Sequence, residues 1–534
     1  MNRKVLFAGS SAIVSVLVLA SCGGGSSSPS PAPAPTPPPP PAQVTISGTA
    51  TYDSVPPLAT LLAGLNYAGT VQKPIRLAAV DILDAASNVV LASTVTNLNG
   101  GYQATFATGG ATQAIVRVKA SSSRSTALPA WDFSVRDNTS NGALYVLDAS
   151  PLALTASSLT LNLRAASGWT GSNSTGSYTG TRSAAPFAIL DTVYNAVAAT
   201  MPSAPAQTWP QLQLFWSVNN VPSGNDPTTG QIGTTYYAGP NGGVQQIYIL
   251  GDADVDTDEY DSHVIAHEWG HYFQNVVSRD DSTGGPHAGG DSLDMRIAFS
   301  EGWGDGWSGI ALSNPVYQDS NGAGQQSGFG FDVSVAPSLP PMGWFSEDSI
   351  SYLFWTLKQQ LNFGPIYNAM INVGTNDAAT SIFSFAAALR VAAPSSVAAI
   401  NSTLAGQGVS GTDAYGAGET NFGDNPSVLP VYNAYGSLGS TQQLCINDTD
   451  GIPNKLGNFA YTVVTLPSGD HTVTVTGGGD PDFELFNHSV YLTGFSSNPG
   501  SETQTFVGMA AGSYVLSVTD FVLSGNTCLD VIVQ

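Results

Sequence analysis

Basic residues are scarce in this chain: 15 Lys and Arg stand against 38 Asp and Glu in 534 residues, a formal charge of −23. Phosphate backbones would be repelled and no basic cluster offsets the acid, which excludes nucleic acid as a partner. Charge of either sign is thin, at 10% of residues, yet 42% are hydrophobic, and that much apolar chain excludes wholesale disorder. Long apolar runs are missing too. After Ala20 no stretch approaches the roughly 18 apolar residues of a membrane-spanning helix. Histidine and glutamate are few, with 6 and 7, so any motif built from them stands out. Glycine is plentiful at 58, and with Ser, Thr and Asn it suits a sheet-rich exported protein. The length exceeds the roughly 250–300 residues at which one hydrophobic core stops growing, so two or more domains are expected.

Arg3 and Lys4 before the apolar run Val5 to Ala20 predict an export signal over 1–21. Leu19-Ala20-Ser21-Cys22 resembles the lipobox of bacterial lipoproteins, which implies a lipid on Cys22. The alternative is an ordinary signal with an incidental Cys. The Gly/Ser and Pro/Ala tract over 22–42 predicts a tether. Gly23 after the Cys resembles lipoproteins sorted to the outer membrane. The expected place is therefore the cell envelope, anchored to the outer membrane by lipid and facing periplasm or exterior. In such an oxidising compartment Cys445 and Cys528 are expected to form a disulfide, two buried thiols being the alternative.

Residues 43–165 read as strands: Val44-Thr45-Ile46, Ile75 to Leu83 and Ala114 to Val118 mix β-branched and polar residues between Gly and Asn clusters. With "TNLNGGYQATF" in the middle, the segment resembles the carboxypeptidase-regulatory or transthyretin-like β-sandwich, which implies a spacer or adhesion module. Residues 441–534 carry "GDHTVTVTGGGDPDFELF" and "AGSYVLSVTD", which resemble the pre-peptidase C-terminal domain of secreted bacterial peptidases. Such a domain implies a role in adhesion or secretion, with Asp480 and Asp482 read as a solvated acidic turn. Residues 185–440 differ: Ala188 to Ala199, Ser349 to Leu361 and Ser381 to Ala392 have apolar residues at helical spacing.

That middle region holds His267-Glu268-Trp269-Gly270-His271 within Asp261 to Val277. On a helix two residues four apart are one turn on and nearly in line, so both imidazoles converge on one metal. Glu268 sits about 100° round, unable to share that line but within reach of a water on the metal. With so few His and Glu the chance of this arrangement arising at random is about one in a thousand. His263, one turn earlier, is read as a neighbouring polar residue. A catalytic zinc takes three protein ligands and leaves one position open. "AFSEGWGDGWSG" over 298–309 supplies Glu301 as candidate third ligand, with Asp305 one turn on to orient an imidazole. Gly302, Gly304 and Gly306 would each cost such a helix about 1 kcal/mol, which points to close helix packing at a site. The alternative is a Gly/Trp-rich loop with an incidental acid.

HExxH followed by ExxxD resembles the gluzincin, thermolysin-like, zinc metallopeptidases. The likeness implies His267, His271 and Glu301 as ligands of one catalytic Zn2+, Glu268 as general base and Asp305 as the group behind a ligand. "TTYYAGPNGGVQQIYILGD" also resembles the gluzincin edge and inner strands, which implies that Tyr236, Tyr237 and Ala238 bind substrate backbone as an added strand. The family's further downstream His, which stabilises the oxyanion, has no counterpart before His471. Tyr352 is one candidate substitute and His287 the other, a core tyrosine being the plain alternative for Tyr352. Asp252, Asp254, Asp256, Asp258 and Asp261 form an alternating acidic run. Calcium is one reading, but the sixth loop position holds Thr257 and not Gly, which favours an acidic loop at a helix N-terminus.

The expectation is thus a multidomain α+β protein, a zincin-type catalytic core of mixed sheet and helices over 185–440 flanked by two β-sandwiches. It would act as a zinc endopeptidase on protein or peptide substrates. The alternatives are a non-catalytic surface lipoprotein binding polysaccharide or host matrix around a structural zinc, and a metal hydrolase acting on another bond.

Overall fold

The computed structural model describes residues 42–495 and 499–534; the export signal, Cys22 and nearly all of the 22–42 tether lie outside the described residues. Strand β1 (Gln43–Ser54) turns Val44, Ile46, Ala50 and Tyr52 inward between less buried neighbours, the period of two that a half-buried strand requires. It pairs antiparallel with 101–107 and parallel with 158–160 and 163–165. A second sheet holds 79–84, 90–95, 113–119 and 146–148. Val44, Ile46, Val80, Ile82, Val116 and Val118 are fully buried in one shared core.

Not all of the 43–165 segment stays in these two sheets. Strands β2 (Ser121–Arg124) and β3 (Trp131–Asp137) leave it and join the middle of the chain. Helix α1 (Ala185–Thr200) follows, then β4 (Leu212–Trp216), β5 (Tyr236–Asn241) and β6 (Val244–Ile249). The sheet runs β5–β6–β4–β3–β2, with β3 parallel to β4 and Phe133 opposite Leu212. Trp131, Phe133, Ser134 and Val135 are all buried, on both faces of β3. Such a strand needs cover on both sides, which a sheet under helices provides and an open sandwich face does not.

Helices α2 (Ser262–Val277) and α3 (Met295–Leu312) pack on each other and on α1. The hairpin β7 (Val316–Asn321) and β8 (Ser327–Asp332) follows, and then α4 (Glu347–Leu361), which lies along α3. Helices α5 (Phe363–Val373), α6 (Ile382–Ala392) and α7 (Val397–Ala405) follow. The three segments with helical spacing in the sequence fall within α1, α4 and α6.

The C-terminal segment forms two sheets around a second core that includes Val473, Leu485, Leu516 and Val531. Cys445, on strand β9 (Thr441–Ile446), lies opposite Cys528 near the chain end, and the two form a disulfide. This segment is not merely appended. Tyr461, Phe486 and Val515 belong to the larger core, and fully buried Arg296 of α3 reaches Glu484 Oε2 at 2.5 Å and Asp294 Oδ1 at 3.1 Å. Across the molecule strand residues outweigh helical ones, 35% to 23%, so sheets dominate a multidomain chain whose helices gather in the middle.

Candidate metal centre

Helix α3 forms in spite of its glycines because each lies against something that a methyl would strike. A Cβ on Gly304 would stand 2.7–2.9 Å from the His267 ring, and one on Gly270 would meet Gly304 Cα at 3.1 Å. Gly302 and Gly306 face α4, where a Cβ would meet Ile350 Cβ at 2.6 Å and Phe354 Cβ at 2.8 Å. The glycines therefore let α3 lie close to α2 on one side and α4 on the other. Trp303 and Trp307, fully buried, fill the rest against Trp269 and Phe273, and the Trp303 indole N–H donates to the Gly270 carbonyl at 2.8 Å. The loop alternative for 298–309 is thereby set aside.

This packing brings His267, His271 and Glu301 together. His267 Nε2 is 3.0 Å from His271 Nε2 and 3.2 Å from Glu301 Oε2, which is 3.4 Å from His271 Nε2. A tetrahedral metal with bonds of about 2.0–2.1 Å holds its ligand atoms about 3.3 Å apart, so the triangle has the size and donor set for such an ion. Asp305 Oδ1 accepts from His267 Nδ1 at 2.8 Å, leaving the Nε2 lone pair for the triangle. Burial works against charge on His267, but its bonds to Asp305 and Glu301 outweigh that and hold its pKa well above the usual imidazole value. Burial would raise Glu301, but the facing His271 and His267 hold it well below the ordinary carboxylate range. The attraction that draws protons onto imidazoles beside a carboxylate also draws in a divalent cation, which releases them.

The triangle opens on a cavity of about 990 Å³ lined by nine carboxylates, three imidazoles and no Lys or Arg. Glu268 lies in its wall, its pKa raised chiefly by burial against the pull of His267 and His271. Tyr236, Tyr237 and Ala238 sit on β5, which ends the sheet and pairs only with β6 among the described residues. The ladder is irregular between Tyr237 and Gly239, and the Tyr237 backbone N–H donates to Glu268 Oε2 at 2.7 Å.

Tyr352 is not brought to the site: it is half-buried on α4 and absent from the cavity wall. The first turn of the helix puts Glu347 and Asp348 on the cavity wall instead. His287 does reach it, from the glycine-rich segment between α2 and α3, with Nε2 3.5 Å from Glu301 Oε2. His263, on α2, is absent from the cavity wall; its Nδ1 lies 3.0 Å from Ser308 Oγ of α3 and its pKa is pushed down to about 4 by burial.

The acidic run divides. Asp256 and Asp258 turn inward to meet Asp319 of β7, their carboxylate oxygens within 4.8 Å of one another. Burial pushes Asp256 up to about 6 and Asp319 to about 7, and Asp258 well above the usual range. Asp261 stands at the N-terminus of α2, but its carboxylate accepts from Ser320 Oγ at 2.6 Å and caps no helix N–H. Asp319, Asp280, Glu347 and Tyr317 line the cavity without any sequence motif pointing to them; they come from a loop, a hairpin and a helix start that only folding gathers. Ser300 joins them from within α3, where it precedes Glu301.

No family model matches the chain, and no curated protein matches it. Among solved structures, the pre-peptidase C-terminal domain of a collagenase from Bacillus anthracis is 16% identical with a TM-score of 0.16, covering 19% of this chain and 94% of that one. PliG of Salmonella Typhimurium, a periplasmic inhibitor of g-type lysozyme, is 10% identical with a TM-score of 0.15, covering 19% and 97%. Similarities this low carry no argument about fold or function.

Proposed function

We propose that this chain is a zinc-dependent endopeptidase with a zincin-type core, in which His267, His271 and Glu301 hold one Zn2+. The observation that carries the reading is the triangle of 3.0, 3.2 and 3.4 Å with Glu268 beside it. A purely structural site has no use for a buried carboxylate placed next to the metal. Zinc bound there would lower the pKa of a water and polarise a carbonyl. Glu268 is the base that takes the water's proton and returns it to the leaving amine, the Tyr237 N–H fixing one of its oxygens. The free edge of β5 is where a peptide would add as a strand. His287 Nε2, opposite Glu301, replaces Tyr352 as the donor toward developing negative charge. The acidic, Lys- and Arg-free wall suits peptides with cationic side chains. A lipid-anchored place in the cell envelope, facing protein substrates, goes with this reading. No ion is assigned to the Asp256–Asp258–Asp319 group.

The test pairs metal analysis with a cleavage assay on the full chain. Wild type should hold one zinc and cleave casein, and Glu268→Gln should keep the zinc and lose cleavage by at least about 100-fold. Equal behaviour of the two would favour the non-catalytic surface lipoprotein. What speaks for that second reading is that one Glu268 oxygen is already engaged by Tyr237.

A further inference from the structure

The two histidines of the triangle are oriented by different devices. His267 gives its Nδ1 proton straight to Asp305. His271 Nδ1 instead faces Ser300 Oγ at 3.2 Å, and Ser300 Oγ lies 3.1 Å from Asp280 Oδ2. A hydroxyl has one proton and a carboxylate can only accept, so Ser300 donates to Asp280. Its oxygen is then left to accept, and the only proton it can take at that position is the one on His271 Nδ1. That assigns the tautomer: Nδ1–H on His271, with the Nε2 lone pair turned to the triangle. A serine inside a helix ordinarily bonds back to its own turn, as Ser308 does to the Asp305 carbonyl at 2.8 Å. Ser300 is turned outward instead.

Asp280 is fixed for this task. Its Oδ1 accepts from the Ser282 backbone N–H at 3.0 Å and from Gln274 Nε2 at 3.2 Å, and Gln274 is fully buried on the last turns of α2. One oxygen thus belongs to the loop, and the other is free to receive Ser300.

We infer that Asp280 is a positioning residue for the metal centre, setting the tautomer of His271 through the Ser300 hydroxyl. The inference rests on the proposed metal reading. It explains why an acid just beyond α2 and a buried serine beside Glu301 both line the cavity, and it makes the polarity of one atom decisive. In Asp280→Asn the amide has nearly the same shape as the carboxylate. Ser282 and Gln274 hold its carbonyl oxygen, so its NH2 is what Ser300 meets. Ser300 must then accept from that NH2 and donate to His271, forcing the Nε2–H tautomer, which cannot ligate.

The test is zinc affinity of the full chain, measured by competition with a chromophoric chelator, for Asp280→Asn, Ser300→Ala and the double variant. The metal-free melting temperature of each variant checks that it folds. Asp280→Asn should bind zinc about 100-fold more weakly and Ser300→Ala about 10-fold. The double variant should recover to the Ser300→Ala level, because the inversion acts only through the hydroxyl. Losses that multiply in the double variant, or wild-type affinity in Asp280→Asn, would overturn the relay. Wild type that binds zinc but cleaves nothing overturns the peptidase reading alone, and wild type that binds no zinc overturns both.

Discussion

Replacing Gly304 by Ala sets two physical effects against each other at one atom. In a helix the exchange alone favours folding by about 1 kcal/mol, because Gly has more backbone freedom to lose. Here the added methyl would lie 2.7–2.9 Å from Cε1, Nδ1 and Nε2 of His267. Ordinary carbon contacts are about 3.5–4.0 Å, so the ring and the backbone of α3 must part by on the order of 0.7 Å. Overpacking of that kind costs about 1–3 kcal/mol and outweighs the propensity gain. His267 cannot simply yield, since Asp305 holds its other side at 2.8 Å. The displacement therefore passes into a triangle whose edges are 3.0–3.4 Å. The expected result is a melting temperature lower by a few degrees and zinc affinity at least about 10-fold weaker. Gly512→Ala in the C-terminal sheets is the control. Its Cβ would find only Tyr514 Cε2 at 3.9 Å, and it should be neutral or stabilising. Thermal melts of metal-free protein and chelator competition of the loaded protein read both effects. If Gly304→Ala proves as stable as wild type and binds zinc equally well, the close-approach argument for the glycines of α3 is wrong.

Glu484→Gln should destabilise by about 3 kcal/mol in urea melts, because it leaves buried Arg296 without its closest carboxylate. The cost should fall on the whole chain, the C-terminal sheets being docked through α3; an independent melt of the C-terminal segment would contradict this. Stability should also fall as pH rises. Asp256 and Asp319 have folded-state values raised to about 6 and about 7, so the native state keeps protons that the unfolded chain releases near pH 4. Their favourable contribution is whole below pH 4 and is lost through pH 6–7. Asp319→Asn should flatten the melting temperature between pH 5 and 8, and an unchanged slope would remove the trio as its cause.

Much of the centre could be read from the chain because its parts are local. HExxH places two imidazoles and a carboxylate by helix geometry alone, and the spacing from Glu301 to Asp305 is again one helical turn. The helices α1, α4 and α6 were legible for the same reason. The edge strand was expected from the resemblance of "TTYYAGPNGGVQQIYILGD" to gluzincin strands, and Tyr236–Asn241 does end its sheet. The 43–165 boundary was not, because β2 and β3 look like any alternating strands and only their long-range partner β4 assigns them to the other sheet. Tyr352 is not on the cavity wall, which α4 reaches with Glu347 and Asp348 of its first turn; helical spacing alone does not tell how far along a helix a distant cavity extends. His287 could be named as an alternative only because it is one of so few histidines.

The scarcity of His and Glu made the motif stand out, and helix periodicity determined that His267 and His271 lie in line, with Glu268 about 100° round from them. Tertiary structure alone decided that Glu301 closes the triangle, that Asp305 backs one imidazole directly while Ser300 and Asp280 stand behind the other, and that Asp319 joins Asp256 and Asp258. Each of those needs two elements distant in sequence to bring side-chain atoms within 4.8 Å of one another. Covalent neighbours carry no information about that distance until the glycines of α3 let the helices close.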